Sequence, residues 1–334
     1  MSPTSVALIG AAGHGAWHLR AIDALGERVR LVATCDVQPG FDYTDHRVML
    51  AERKPEVVVV CTPPHTHLPI ALDVLDAGAD LLLEKPPVLS LADHRRLAEA
   101  ARGRVLQVGF QALGSPTLPL LAERVGEVVS ASVAGAWWRP DSYWARSSWS
   151  GRRGRDGALV NPFAHALMQA LAITGIRPPW TIGLDRYRTR ASVEVEDTAT
   201  LRLSVPDGRS VFVAVTLCSG DFVPGDITVA GRDGTAEVGY TQDRLGGQVV
   251  PGRIGLLSNL LDHRDHDAPL LVPLERTEPF TALAEAILAG DPPALLDPAR
   301  LVRREDGVEI PGAAALVRRA AAERAHFHEI GAFQ

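Results

Sequence analysis

Short apolar runs alternate with amphipathic segments along the first third of the chain. The apolar runs, predicted to be strands buried on both faces, cover residues 5–10, 29–35, 56–61, 81–83 and 105–110. Helical patterns lie between them. The first ends near residue 25, and the others cover residues 46–53, 68–77 and 91–102. Strands that alternate with helices in this way predict an α/β domain with a doubly wound parallel sheet.

The pattern changes after residue 112. A long β-rich segment covers residues 127–139, a helical pattern covers 159–173, and five shorter strand patterns follow between 181 and 240. Turn sequences such as Pro206-Asp207-Gly208 separate these strands, as expected for an antiparallel sheet. We therefore predict two domains, residues 1–112 and residues 113–334, the second an α+β domain with an open, mostly antiparallel sheet.

Composition and charge narrow the possible partners. The chain has 334 residues, a net charge of -6 and an isoelectric point near 6.0, which argue against binding to nucleic acid or to an anionic membrane surface. No apolar run approaches the ~18 residues that span a bilayer, and no signal peptide precedes the first strand. Cys35, Cys61 and Cys218 lack metal-ligand spacing. We expect a cytoplasmic protein with no disulfide and no metal site.

A glycine-rich turn after the first strand is typical of dinucleotide binding. Gly10 would allow the tight turn, Gly13 or Ala12 the close approach of the backbone to a pyrophosphate, and Gly15 the packing of helix on strand. Asp36 ends the second strand, where a carboxylate accepts from ribose hydroxyls and repels a 2′-phosphate, which favours NAD over NADP. The alternative is a glycine turn that binds nothing. The predicted ligands here are Gly10, Ala12, Gly13, His14, Gly15 and Asp36.

Two further strands run into loops whose side chains could bind a ligand or take part in catalysis. The third runs into a rigid proline loop, where a His-x-His pair is only a weak metal signal. The fourth ends in Glu84-Lys85-Pro86, and Lys85 is one of two lysines among the 34 basic residues. Lysine supplies a compact ammonium whose pKa burial can lower, although a surface turn is the alternative. We predict a cis Lys85–Pro86 bond. The predicted cofactor contacts are Cys61, Thr62, Pro63, Pro64, His67, Glu84 and Lys85.

The second predicted domain opens with a segment rich in aromatic and cationic side chains. Aromatic faces stack on the C–H faces of a polyhydroxylated ligand while guanidinium groups donate to its hydroxyls. The alternative is that these aromatic residues pack a core or an oligomer interface. Asn161 and His165 follow on a predicted helix, where i and i+4 share one face. The predicted substrate wall consists of Trp138, Arg139, Tyr143 and Trp149.

These motifs together resemble a known family. In chain order they are Gly-Ala-Ala-Gly-His-Gly at 10–15, Asp36, Cys-Thr-Pro-Pro-His-Thr-His at 61–67, Glu84-Lys85-Pro86, and Gly-Ala-Leu-Val-Asn-x-x-x-His at 157–165. They resemble the glucose–fructose oxidoreductase / inositol dehydrogenase (Gfo/Idh/MocA) family. The resemblance implies an NAD(P)-binding Rossmann domain followed by a domain whose exposed sheet face builds homodimers or homotetramers.

The resemblance also implies a reaction. Family enzymes move a hydride between nicotinamide and a hydroxyl or keto carbon of a sugar, sugar derivative or cyclitol. Carried over by motif, the catalytic residues are Lys85, Asn161 and His165: the lysine stabilises a developing alkoxide, the asparagine orients the substrate and the histidine is the general base. The family has aspartate at the position of Asn161, and asparagine cannot accept a proton.

Two alternatives remain open, and Asn161 motivates the first. In the first, the protein is a catalytically silent sensor or accessory subunit that binds dinucleotide and a sugar-like ligand. In the second, a tightly held NAD is recycled within one turnover, as in family members that cleave or epimerise glycosides.

Overall fold

The chain forms two compact units in a computed structural model that describes residues 2–239 and 241–333. Tyr240, the end of one predicted strand, lies outside the described residues. The first unit holds the chain up to Gly114 together with Ile254–Thr281, and the second holds Ser115–Arg253 and the chain from Ala282 onward. None of the helices in the described residues is long and apolar enough to cross a bilayer.

The first unit contains a five-stranded sheet, and all its strand pairs are parallel. The predicted doubly wound sheet is confirmed, with strand ends shifted by at most two residues. The strand order is β2-β1-β3-β4-β5. Its strands and helices are β1 (Thr4–Ile9), α1 (Gly15–Asp23), β2 (Val29–Cys35), α2 (His46–Arg53), β3 (Val57–Val60), α3 (His67–Asp76), β4 (Asp80–Leu83), α4 (Leu91–Ala100) and β5 (Leu106–Val108).

Burial explains why the central strands are continuous apolar runs. All four valines of β3 and the three leucines of β4 are buried, because helices cover both faces of a parallel sheet. The strand order reverses between β1 and β3, which are hydrogen-bonded neighbours. Ligands of open α/β sheets bind beyond the carboxyl ends of the strands at such a reversal. The loops that follow β1 and β3 therefore lie where a ligand site is expected.

The second unit contains a nine-stranded sheet of order β13-β12-β11-β10-β6-β9-β8-β7-β14. It is mostly antiparallel, as predicted, but the pairs β6–β9 and β7–β14 are parallel. Its elements up to residue 249 are α5 (Leu121–Val125), β6 (Val128–Trp138), α6 (Asp141–Ala145), α7 (Ala164–Thr174), β7 (Thr181–Arg188), β8 (Thr198–Ser204), β9 (Ser210–Thr216), β10 (Cys218–Gly231), β11 (Gly234–Gly239), β12 (Arg244–Leu245) and β13 (Gln248–Val249).

The predicted boundary after residue 112 lies close to the observed division at Gly114, but the chain later returns to the first unit. Gln107, fully buried on β5, contacts the returning segment twice: its amide nitrogen donates to the Leu256 carbonyl and its amide oxygen accepts from Val272 N–H. The segment carries α8 (Leu256–His266) and the start of α9 (Glu278–Ala289). A helical pattern alone does not reveal which unit a helix joins.

Helices cover both faces of the nine-stranded sheet. Alternate residues of β6 face opposite sides: a Cβ at Gly135 would overlap the Phe163 ring just before α7, whereas Ala136 belongs to an apolar cluster with the last helix. That helix, α10 (Ala313–Glu323), also accepts a hydrogen bond from Ser132 through the Ala321 carbonyl. The remaining short strands are β14 (Ala294–Leu295), β15 (Val302–Arg303) and β16 (Val308–Glu309).

The helix that carries His165 begins later than predicted. It starts at Ala164, so Asn161 lies in the preceding turn and does not share a helical face with His165. Pro162 explains the difference, because a proline disfavours the helical conformation of the residue before it. The prediction that both residues lie on one helix was therefore wrong.

Candidate functional site

The glycine loop after β1 folds tightly on itself and on the neighbouring loop. Gly10 and Gly13 have φ angles of +84° and +56°, which L side chains rarely adopt. A Cβ at Gly10 would overlap the carbonyl oxygen of Cys61, and one at Gly15 would overlap the carbonyl oxygen of Gly10. At Gly13 there is an opening: apart from its chain neighbours, no atom lies within 4 Å of the position that a Cβ would occupy. Gly15 therefore allows closure of the loop itself, and the opening above Gly13 suits a phosphate group.

The amides at the start of α1 are partly used by the turn. Gly15 N–H donates to the Ala12 carbonyl at 2.9 Å, and Ala16 N–H donates to the Gly13 carbonyl at 3.3 Å. A phosphate would therefore have to meet other amides of the loop.

Asp36 lies beside the glycine loop. Its Oδ2 accepts from Ala12 N–H at 2.8 Å and its Oδ1 accepts from Gln38 N–H at 2.9 Å. The carboxylate therefore holds the loop against the end of β2. A carboxylate has about four lone-pair positions, so these two bonds leave acceptor capacity for a ribose hydroxyl.

The proline loop after β3 is anchored by a buried histidine. His67, fully buried at the start of α3, lies 2.8 Å from the carbonyl oxygens of both Thr62 and Pro86. Burial lowers the pKa of His67, and these two carbonyls oppose the shift. Its side chain thus links the loop to Pro86, so it positions the loop and does not reach the surface. The Cys61 thiol stays protonated at neutral pH because burial raises its pKa.

Glu84 and Lys85 follow β4 directly, next to the end of β3. The Lys85–Pro86 bond is cis, as predicted. Glu84 is buried: its Oε2 accepts from Lys85 N–H at 2.9 Å and its Oε1 lies 2.9 Å from His18 Nε2. Lys85 is half-buried. The exposed His14 side chain is nearby, with its Nε2 3.9 Å from Glu84 Oε1.

In the second unit, a buried carboxylate lies beside Asn161. The Asn161 amide nitrogen donates to Asp156 Oδ1 at 3.0 Å, and Gly151 N–H donates to Asp156 Oδ2 at 2.8 Å. Asp156 is 1% exposed. His165 lies one residue into α7 and is half-buried. The hydrogen bond to Asp156 fixes which end of the Asn161 amide faces that carboxylate.

Two further buried acids lie in the same unit. Burial raises the pKa of Glu196 to about 7, and its Oε1 accepts from Leu159 N–H at 3.3 Å. Burial also raises the pKa of Asp197, although its hydrogen bonds with the backbone and hydroxyl of Thr189 lower it. Arg190 Nη1 lies 3.8 Å from Asp197. Through Leu159, Glu196 is hydrogen-bonded to the turn that precedes α7 and holds Asn161.

Three of the four predicted wall residues form one stacked group. The Arg139 guanidinium carbon lies 5.1 Å from the Tyr143 ring centroid, and the Arg146 carbon lies 3.6 Å from that ring and 5.1 Å from the Trp149 ring. Arg146 joins the two aromatic rings of the group. Burial raises the pKa of Tyr143, so its hydroxyl remains protonated. The group offers guanidinium donors beside aromatic faces.

Trp138 packs differently from the other predicted wall residues. Its indole Nε1 lies 3.3 Å from Asp306 Oδ2, and its ring lies against Gly307. Trp137 instead stacks on Phe222, with ring centroids 6.5 Å apart. A cavity of about 330 Å³ is lined by Trp137, Trp138, Arg139, Ser219, Gly220 and Phe222.

The structure brings the predicted cofactor residues together around the carboxyl ends of β1 to β4. Of the predicted catalytic residues, Lys85 belongs to the first unit, and Asn161 and His165 belong to the second. Sequence reasoning missed His18 and Asp156, and it did not include Arg146 in the predicted wall. His18 follows His14 by four residues, which is a readable signal. The hydrogen bond between Asp156 and Asn161 has no comparable pattern in the sequence.

Two family models match the chain. One, described as "Oxidoreductase family, NAD-binding Rossmann fold" (GFO_IDH_MocA), matches residues 4–110. The other, "GFO/IDH/MocA C-terminal domain", matches residues 120–237.

Curated relatives align over part of their length. Inositol 2-dehydrogenase of Salmonella typhimurium is 28% identical over 119 residues, which are 31% of this chain and 35% of the relative. D-glucoside 3-dehydrogenase of Escherichia coli is 31% identical over 128 residues, or 33% of this chain and 35% of the relative. The chain thus spans about a third of the length of these relatives.

Solved structures share the fold over most of the chain. The WlbA dehydrogenase from Bordetella pertussis, in complex with NADH and UDP-GlcNAcA, has a TM-score of 0.75 at 24% identity, covering 85% of this chain and 95% of its own. GenD2 from gentamicin A biosynthesis, in complex with NAD, has a TM-score of 0.71 at 25% identity, covering 86% of this chain and 93% of its own.

Proposed function

Because the chain belongs to the Gfo/Idh/MocA oxidoreductase family and its first unit is an NAD-binding Rossmann domain, we propose that it is an NAD-dependent dehydrogenase or reductase. The substrate would be a hydroxyl or keto carbon of a sugar, sugar derivative or cyclitol. The observation that carries the proposal is the convergence of the glycine loop, Asp36 and Glu84-Lys85 at the carboxyl edge of one parallel sheet. The opening above Gly13 and the carboxylate of Asp36 fit a dinucleotide.

Each predicted residue has a distinct chemical task. A bound NAD supplies the hydride acceptor or donor. In the oxidation direction His165 would take the hydroxyl proton, since imidazole titrates near neutral pH. Lys85 would donate a hydrogen bond to a substrate oxygen and stabilise developing negative charge. Asn161, fixed by Asp156, would orient a neighbouring hydroxyl. Arg139, Tyr143 and Trp149 would bind the remainder of the substrate.

The test is turnover of a sugar and cyclitol panel with NAD and with NADP. Loss of a general base typically costs 10²–10⁴-fold, so His165→Ala should lower kcat by about that factor. Lys85→Ala should lower it as well. Lys54→Ala, which removes the only other lysine, and His266→Ala, on an exposed helix position, are the matched controls. Equal rates in all five proteins would refute the assignment.

A silent dinucleotide-binding protein is the second candidate, and Asn161 motivates it. Tight NADH binding with no turnover on any panel member would favour this function. Product formed without added NAD, from protein that co-purifies with nucleotide, would instead indicate a recycled cofactor. Direct binding measurements beside the turnover assay separate the three outcomes.

We also propose a homodimer or homotetramer built through the nine-stranded sheet. We place these contacts at the end of the sheet formed by β11 to β13, beyond the strands β6, β9 and β10 that α7 and α10 pack against. Exposed Val249 lies on that end. Light scattering gives the molar mass directly, and a monomer near 35.8 kDa at working concentration contradicts the proposal.

A further inference from the structure

Three potential metal ligands meet at the edge of the glycine loop. The ligand atoms of His14, His18 and Glu84 all lie within 4.8 Å of one another. Glu84 Oε1 is 2.9 Å from His18 Nε2 and 3.9 Å from His14 Nε2. Ligands at about 2.0–2.2 Å from a tetrahedral zinc ion lie roughly 3.3–3.6 Å apart, so small side-chain rotations suffice. We propose that these three residues form a site for one divalent transition-metal ion of the zinc class.

The spacing of the two histidines supports chelation. His14 is the N-cap of α1 and His18 lies one turn into the helix, so they are i and i+4 and share one face. Two histidines at this spacing plus a separate carboxylate form a familiar zinc ligand set. Imidazole nitrogens and a carboxylate suit zinc and its transition-metal neighbours better than calcium or magnesium, which prefer all-oxygen ligands.

The surroundings hold two of the ligands in place. His18 and Glu84 are buried, and the second Glu84 oxygen accepts from Lys85 N–H. The His18 ring also makes an edge contact with Trp17 at 4.9 Å. The His14 side chain is 66% exposed, so an ion bound here would keep a position open to water. Three protein ligands and one open position are typical of zinc sites that exchange a ligand.

Occupancy of this site would affect the cofactor loop. His14 lies between Gly13 and Gly15, so a bound ion would tie the loop to the end of β4. The charge of Lys85 opposes a cation and limits the affinity. If the proposed dinucleotide function holds, metal and NAD would compete for the same loop. The binding of the ion itself does not depend on that function.

Calorimetric titration of the full chain with zinc chloride, without nucleotide, tests the site. Wild type should bind one ion, and His14→Ala should weaken binding at least about tenfold, since even ligand-orienting residues change metal affinity by 10–100-fold. His46→Ala is the control: His46 lies 2.8 Å from Asp73 in a histidine–carboxylate pair of the same kind. It should bind zinc like wild type. Equal binding by His14→Ala and wild type would overturn the proposal.

Cobalt(II) provides a measurement that needs no variant. An ion held by three protein ligands and water gives the intense visible absorption of four-coordinate cobalt, whereas loosely bound surface cobalt stays six-coordinate and nearly colourless. Absence of the intense band at saturating cobalt also contradicts the site. NAD binding to metal-free and zinc-loaded protein then tests competition: unchanged zinc affinity with NAD present would refute competition alone and leave the site standing.

Discussion

Replacing Glu196 by glutamine should remove a pH dependence from the stability of the second unit. Burial raises the pKa of this carboxyl to about 7 from an ordinary value of 4.5. The folded state therefore holds its proton at pH values where the unfolded chain has released it. Stability falls with rising pH wherever the folded state binds more protons. Glu196 should thus destabilise the fold progressively between pH 4.5 and 7, with no further change above that range.

The magnitude follows from the difference between the two pKa values. Each unit corresponds to about 1.4 kcal/mol, so the full effect is roughly 3 kcal/mol. Part of it is already present at pH 5. Between pH 5 and pH 8 the wild type should therefore lose roughly 2–3 kcal/mol relative to Glu196→Gln. Any fixed cost of the glutamine side chain cancels in this comparison of two pH values.

Urea unfolding followed by tryptophan fluorescence measures the difference. Five of the six tryptophans lie in the second unit and only Trp17 lies in the first, so the signal mainly reports the second unit. Glu305→Gln, which changes an exposed carboxylate of the same unit, controls for the removal of a charge. A constant offset between wild type and Glu196→Gln from pH 5 to pH 8 would show that Glu196 is not protonated in the fold.

Two further substitutions test local geometry. Gly15→Ala should displace the glycine loop, cost about 1–3 kcal/mol of unfolding free energy and weaken NAD binding, because its Cβ would overlap a backbone carbonyl. Gly255→Ala, with open space around its Cβ, is the control, and equal melting temperatures and NAD affinities would disprove the overlap. Asn161→Asp should reduce turnover, because it puts a second carboxylate beside Asp156. Adding Asp156→Asn should restore part of the lost rate, and a single variant faster than wild type would contradict this reasoning.

The first unit was predictable because local signals and tertiary structure agree there. Fully buried strands such as β3 must be apolar along their whole length. A loop position at which a Cβ would overlap neighbouring backbone atoms must be glycine. Both constraints are visible in the sequence. The return of residues 254–281 was not predictable, because the contacts that hold it, such as two hydrogen bonds of Gln107, join residues about 150 positions apart. Side-chain partners at that separation leave no periodic pattern.

In the second unit, too, some features of the candidate site could be predicted from the sequence and others could not. The start of α7 at Ala164 follows from Pro162, which could have been used to place Asn161 before the helix. The separation of Trp138 from the other predicted wall residues could not be anticipated in this way. Trp137 and Trp138 alternate across β6, but only the packed structure shows that Trp138 contacts Asp306 and Gly307.

Asp156 changes the meaning of the asparagine at position 161. A buried carboxylate is costly unless donors satisfy it, and Asp156 is satisfied by Gly151 N–H and the Asn161 amide. An aspartate at 161 could not donate to Asp156 while both acids are ionised. The asparagine at position 161 is therefore explained by the need of the Asp156 carboxylate for a hydrogen-bond donor. Asn161 alone is then no sign of lost catalysis, because the proposed proton acceptor is His165.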